Sequence, residues 1–98
     1  MATIKWTKES ADWLEKIYKY IAEDNEQAAA SVISGIYSKV QMLEKYPELG
    51  YIYRSHESGK IRVILYGHYR IADLYQADVL TILGVFHGAM EIDRYLPS

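Results

Sequence analysis

The stretch that decides the fold runs from Ile61 to Phe86 and reads IRVILYGHYRIADLYQADVLTILGVF. It contains three runs rich in β-branched, aromatic and other apolar residues, Ile61–Tyr66, Tyr69–Tyr75 and Val79–Phe86. Such composition is typical of β-strands, and connections as short as Gly67-His68 and Gln76–Asp78 join only antiparallel neighbours. We therefore predict a three-stranded antiparallel meander. Its last strand is nearly all apolar, so it should lie inside the sheet with both faces covered.

Two helical patterns precede this stretch. Apolar residues recur at three- and four-residue spacing from Ala11 to Ala22 and again from Ala29 to Leu43, so each segment presents one apolar stripe. The connection at Asp24-Asn25 is short, which predicts that the two helices lie antiparallel as a hairpin. The segment Pro47–Gly50 is a stop signal after the second helix.

The helix ends carry their own signals. Thr7 or Ser10 is predicted to cap the first helix, and Asn25 to end it, because asparagine tolerates the left-handed conformation of a helix stop. The second helix is predicted from about Glu26 to Tyr46. Gly35 inside it costs ~1 kcal/mol relative to alanine, which we attribute to close packing against another element.

The complete order is β-α-α-β-β-β, because Ile4 and Trp6 alternate with polar neighbours as in a short strand. This predicts an α+β fold: an N-terminal strand, a two-helix antiparallel hairpin and the meander, forming a four-stranded sheet with the helices on one face. The other face, or the rim, is left to solvent. Residues 1–98 are expected to form a single domain. The tail from Gly88 to Ser98 can pack or pair with another element.

Composition and charge narrow the functional classes. Apolar residues make up 50% and charged residues 24%, an ordinary globular balance that excludes disorder for most of the chain. There is no cysteine, which excludes disulfides and thiolate chemistry. A net charge of −2 argues against nucleic acid as a direct partner. No apolar run resembles a secretory signal or a membrane span, so we expect a cytoplasmic protein without a membrane partner.

The arginines and histidines are unevenly placed, whereas the first half of the chain uses lysine. All arginines and histidines lie in the second half of the chain: Arg54, Arg62, Arg70, Arg94, His56, His68 and His87. Because the planar guanidinium group suits phosphate and carboxylate recognition, this placement indicates that the sheet carries the binding surface. The histidines show no pair at helical or turn spacing, and the glycines form no phosphate loop, so we predict neither a metal site nor a cofactor.

Arg62 and Arg70 are the leading candidates for a binding site. They lie on strands predicted to pair, where cross-strand neighbours on one face stand about 5 Å apart. Their guanidinium groups would then converge into an anion site. The alternative is that each is an ordinary exposed arginine paired with an acid such as Asp73. His87, at the end of the last strand, is either a functional group near the rim or a residue that caps carbonyl groups.

Four motifs resemble the RelE/ParE toxins of bacterial toxin–antitoxin systems. Residues Ser10–Ala22 are similar to the first-helix pattern A-x-x-D-L-x-x-I-x-x-Y-I-A of that family. A Pro-x-x-Gly turn at Pro47–Gly50 and a Tyr-Arg-Ile strand at Tyr69–Ile71 agree with it. The closing Val-Phe-His-Gly-Ala at Val85–Ala89 most resembles the ParE branch. In order, these motifs cover nearly the whole chain.

The resemblance implies a growth-inhibiting toxin of the plasmid-stabilization kind, held inactive by a cognate antitoxin. RelE-type toxins cleave messenger RNA in the ribosomal A site, whereas ParE-type toxins block DNA gyrase. Arg62, Arg70 and His87 would serve the RNase reaction, but Ile64 stands where that branch has a basic residue. The arginine that the RelE branch has just after the last strand is also missing, and Met90 stands where the ParE branch often has arginine. We therefore favour a ParE-type inhibitor of DNA gyrase without a catalytic centre. A RelE-like endoribonuclease and a non-toxic interaction module are the alternatives.

Under the ParE interpretation, the chain contacts its target through six residues: Arg62, Arg70, His87, Met90, Arg94 and Tyr95. The antitoxin is expected to lie along exposed apolar and tyrosine surface at the helical hairpin and an edge strand. Such a surface favours self-association when it is bare, so a homodimer is allowed without the antitoxin.

Overall fold

The computed structural model describes residues 1–97, and Ser98, the last residue of the predicted tail, lies outside the described residues. The chain forms β1 (Thr3–Trp6), α1 (Lys8–Ala22), α2 (Glu26–Gln41), a 3₁₀ turn (Met42–Glu44), β2 (Tyr51–His56), β3 (Gly59–Tyr66), β4 (Tyr69–Gln76), β5 (Val79–His87) and a second 3₁₀ turn (Ile92–Tyr95). The predicted α+β class and element order are confirmed, with five strands in the sheet instead of four.

The strands lie in the order β1-β5-β4-β3-β2. The meander β3-β4-β5 is antiparallel as predicted, while β1 runs parallel to β5 with Thr3 opposite Val79. The additional strand, β2, pairs antiparallel with β3 at the sheet's edge. None of its residues is fully buried, so the alternation of buried and exposed positions that reveals a strand in sequence is weak there.

The helix ends follow local hydrogen bonding. Thr7 caps α1 as predicted, since its side chain accepts the N–H of Ser10 at 3.0 Å. Asn25 does not end α1 in the left-handed conformation. It is extended, with φ −156°, and its Oδ1 caps α2 by accepting the N–H of Ala28 at 2.9 Å. The second helix is shorter than predicted, because its α-helical turns end at Gln41 and a 3₁₀ turn follows.

One sheet face, the helix side, packs against the hairpin. Its core is built from fully buried aliphatic side chains of α2, of the 3₁₀ turn after it and of the sheet: Ile36, Val40, Leu43, Ile71, Leu80 and Ile82. Gly35 lies against Tyr66 of β3, and a Cβ at this position would overlap the tyrosine hydroxyl. The close packing predicted for this glycine is confirmed.

The other face, the segment side, is covered by the C-terminal segment, defined here as residues 88–97. Its buried Ile92 and Leu96 pack against Ile61, Val63 and Phe86 of the sheet. The expectation that this face meets solvent is therefore wrong over its centre. Within residues 1–97, no helix combines the length and apolar character needed to cross a bilayer.

Candidate functional site

Arg62 and Arg70 lie on opposite faces of the sheet. The hairpin pairs Tyr66 with Tyr69, which places Arg62 opposite Asp73 and Leu65 opposite Arg70. In this register an even-numbered residue of β3 shares its face with odd-numbered residues of β4. Two even-numbered arginines therefore cannot meet, and the predicted convergence of the two guanidinium groups is wrong.

Arg62 belongs to a buried ionic cluster on the helix side. It is 7% exposed, and its Nη2 donates to Oε2 of Glu48 at 3.0 Å. Asp73, opposite it, is fully buried, and neither of its carboxylate oxygens has a hydrogen-bond partner within residues 1–97. Burial raises the pKa of Asp73 to about 7, against the opposing effect of the Arg62 charge. The guanidinium group of Arg62 is therefore buried and engaged within the fold, whereas the side chain of its partner Glu48 is 69% exposed.

Arg70 and Arg54 fasten the C-terminal segment to the segment side. Nη2 of Arg70 donates to the carbonyl of Met90 at 2.5 Å. Arg54 pairs with Asp93 at 3.2 Å and also donates to the carbonyl of Pro97. Arg94 points outward, with a side chain that is 75% exposed and 3.8 Å from the carboxylate of Glu91. Of these arginines, Arg94 presents its charge to solvent, while the other two hold backbone in place.

A groove lies between α1, the end of β5 and the start of the C-terminal segment. It encloses about 350 Å³, and eight residues line this α1 groove: Trp13, Lys16, Ile17, Tyr20, Tyr69, Val85, His87 and Met90. Two of the six predicted contact residues, His87 and Met90, are thus brought together. Tyr95 does not line the groove but contacts its wall through Trp13, with the two rings 5.1 Å apart in an edge-to-face arrangement. Arg70 reaches this site only through Met90.

The wall contributed by α1 follows from helical spacing. Counted from Trp13, the other three residues of this wall follow at three, four and seven positions, so all four share one face of the helix: Trp13, Lys16, Ile17 and Tyr20. In the sequence, the apolar stripe centred on Leu14 predicts the buried face of α1, and the neighbouring face that lines the groove does not stand out beside it. The pair of aromatic residues seven positions apart was the signal that could have revealed it.

The groove has apolar walls and a cationic, hydroxyl-bearing rim. Nζ of Lys16 lies 4.9 Å from the centre of the Trp13 ring, as in a cation–π contact. Burial raises the pKa of the Tyr69 hydroxyl, with the nearby Tyr20 adding to the effect, so Tyr69 keeps its proton at neutral pH. No lining residue is acidic. The groove is therefore suited to an apolar side chain accompanied by a carboxylate.

The structure also brings together two histidines that the sequence separates. Pairing of Tyr69 with His87 places His68, in the β3–β4 turn, beside the end of β5. The two imidazole ring centres are 6.3 Å apart, with their planes inclined by 24°. Within the described part of the chain, no group of three or more histidine, cysteine, aspartate or glutamate residues is arranged to hold a metal ion.

Comparison with solved structures finds the same architecture in another protein. The fold matches a chain from the chromosomal ParDE toxin–antitoxin system of P. aeruginosa with a TM-score of 0.71, at 21% sequence identity, over 89% of this chain and 96% of that one. At that identity the likeness establishes the shared fold. A search of curated proteins finds no match.

The family is established by sequence. The model of the ParE toxin of type II toxin–antitoxin systems (parDE) matches residues 4–92. The chain therefore belongs to the ParE toxin family, as its motifs suggested.

Proposed function

We propose that this protein is the toxin of a type II toxin–antitoxin pair, that it arrests growth in the cytoplasm by binding DNA gyrase, and that a cognate antitoxin neutralises it. The observation that carries the proposal is the family match over residues 4–92. The geometry adds an apolar groove, which is suited to binding a protein segment.

The positions of the arginines favour inhibition by binding over cleavage of RNA. Phosphodiester cleavage requires cations arranged around one phosphate and a positioned proton acceptor. Arg62 and Arg70 are on opposite faces, and Arg62 is engaged by Glu48. They cannot serve one phosphate in this arrangement, which weighs against the endoribonuclease alternative.

The antitoxin is proposed to dock in the α1 groove. Partner segments commonly anchor an apolar side chain in such a groove and satisfy charges at its rim. Lys16 supplies a positive charge there, and Tyr20, 79% exposed, supplies apolar area for contact. We expect the antitoxin segment to carry an apolar or aromatic anchor next to an acidic residue.

A supercoiling assay tests the target. Purified protein should inhibit DNA gyrase, and Arg94→Glu should weaken inhibition by about tenfold or more, since reversing a contact charge costs roughly that much. Lys60→Glu changes an exposed lysine on β3 and is the matched control. Undisturbed supercoiling at saturating protein would refute the gyrase target. Cleavage of ribosome-bound message would support the endoribonuclease, and normal growth on induction would support the interaction module.

A binding assay with the product of the neighbouring reading frame tests the groove. Tyr20→Glu should weaken that complex by about tenfold or more, because central aromatic anchors carry most of the energy of an interface. Tyr46→Glu alters another exposed tyrosine, 55% exposed and outside the groove, and should bind like the parent. Equal loss in both variants would contradict docking in the groove.

A further inference from the structure

The backbone fixes the neighbouring positions of His68 and His87. His68 belongs to the tight turn between β3 and β4, and His87 is the last residue of β5. The N–H of Gly88 donates to the carbonyl of His68 at 2.7 Å, next to the paired residues Tyr69 and His87. Two strands and a cross-strand hydrogen bond therefore hold the two Cα positions without help from the side chains.

The distance between the rings is suited to one shared ion. With a metal–nitrogen bond of about 2.0–2.1 Å, two imidazoles on one ion have ring centres roughly 5–6 Å apart. The observed separation is 6.3 Å. Both side chains are exposed, so rotation about their side-chain torsions can turn one nitrogen of each ring toward a common point.

Rotation of the two imidazole rings costs little hydrogen bonding. Within residues 1–97, His68 makes no side-chain hydrogen bond. Nδ1 of His87 accepts the N–H of Ala89 at 3.3 Å, which is long for such a bond. In that tautomer the proton is on Nε2. A metal bound at Nε2 of His87 would move this proton to Nδ1 and replace one long hydrogen bond by a coordinate bond.

We propose that His68 and His87 together bind one divalent ion of the class that prefers imidazole, such as Zn²⁺, Ni²⁺ or Cu²⁺. Each histidine supplies one nitrogen, and water completes the coordination. The bound ion links the β3–β4 turn to the end of β5, where His87 forms part of one wall of the α1 groove. This site does not depend on the proposed function, since it needs only the register of β4 and β5.

Zinc titration of the protein without an affinity tag tests the site. Calorimetry should show one Zn²⁺ per chain, and His68→Ala and His87→Ala should each weaken binding by about tenfold or more, because even loss of an outer-shell partner of a metal costs about that much. His56→Ala is the matched control. His56 is at the end of β2, where its Nδ1 accepts the N–H of Ser58, and this variant should bind like the parent.

Two further readouts distinguish coordination from nonspecific association. Long-range proton–nitrogen NMR spectra should show zinc-induced shifts of ring nitrogens in His68 and His87 but not in His56. An excess of a chelator should reverse these shifts, because the ion is held by coordinate bonds that a stronger ligand replaces. Absence of binding at millimolar zinc, or equal loss in all three alanine variants, would overturn the proposal.

Discussion

The two faces of the sheet are covered by different means. The helix side is closed by α1 and α2, whose backbone hydrogen bonds are satisfied within the helices. The segment side is closed by a short stretch that contains a single 3₁₀ turn, and arginine side chains hold its carbonyls. Because irregular backbone cannot satisfy its own polar groups, it needs donors from elsewhere. The comparison teaches that Arg54 and Arg70 serve the packing of this face.

The same comparison explains the contrasting environments of the arginines. Arg62, on the helix side, lies beside the buried Asp73 and is paired with Glu48. Arg70, on the segment side, donates to a neutral carbonyl. Arg62 and Arg70 are thus engaged within the fold, and the cationic side chain that lines the α1 groove is that of Lys16.

The largest expected effect on stability comes from the same isoleucine-to-alanine substitution, made once on the helix side and once on the segment side of the sheet. Ile36→Ala should lower the free energy of unfolding by about 3–5 kcal/mol, because rigid helices cannot collapse around the cavity. Ile92→Ala removes an equally buried side chain but should cost only about 2 kcal/mol, because the C-terminal segment can adjust. Denaturant unfolding of both variants measures the difference. Equal losses would show that the segment is as rigid as the helices.

The second effect is a pH dependence on the helix side. Asp73 has a folded-state pKa of about 7, above its ordinary value of 3.8, so the folded protein holds an extra proton between these pH values. Stability conferred by that proton is complete below about pH 4 and is lost as pH rises through 7. Asp73→Asn should remove this loss and be more stable than the parent at pH 8, by roughly 4 kcal/mol at most.

Thermal unfolding between pH 4 and pH 8 measures this effect. The two proteins should have similar stability at pH 4 and diverge above it. Asp24→Asn, which changes an exposed aspartate in the connection between α1 and α2, is the control and should follow the parent curve. Parallel curves for Asp73→Asn and its parent would show that Asp73 stays ionised in the fold.

The smallest effect should come from removing one of the hydrogen bonds that hold the C-terminal segment. Arg70→Met keeps apolar contact but removes the donor to Met90, so it should cost about 1–2 kcal/mol. The rate of hydrogen exchange should increase at the amides of residues 90–96 and not at the amides of the sheet. Arg94→Met changes an exposed arginine and should leave exchange unaltered. Uniform acceleration across the sheet would mean that Arg70 stabilises the whole domain instead of the segment.

The fold was largely predictable because its signals are local. Helical spacing, the Thr7 cap and the short turns each predict an element, and the structure confirms them. The edge strand β2 was missed because its side chains are not fully buried. The β4–β5 turn was located, but Ala77 and Asp78 have φ values of 51° and 64°, which no glycine signals.

The site was less predictable because it depends on register. Whether Arg62 and Arg70 share a face is decided by the pairing of Tyr66 with Tyr69, and a shift of one residue reverses the answer. The pairing of His68 with His87 depends on a second register, that of β4 and β5. The sequence identified the half of the chain that carries the arginines and histidines, but only the strand pairing decides which of them meet.

The position of β1 beside β5 has a consequence for how the chain acquires its structure during synthesis. Thr3 finds its partner Val79 only after 76 further residues have been made (79 − 3 = 76). The hairpin α1–α2 can form earlier, but its apolar stripe then has no sheet to cover. Long-range pairing of this kind slows folding. A ribosome-attached chain therefore keeps its first strand unpaired until β5 emerges, and the sheet is completed only after the whole meander has been made.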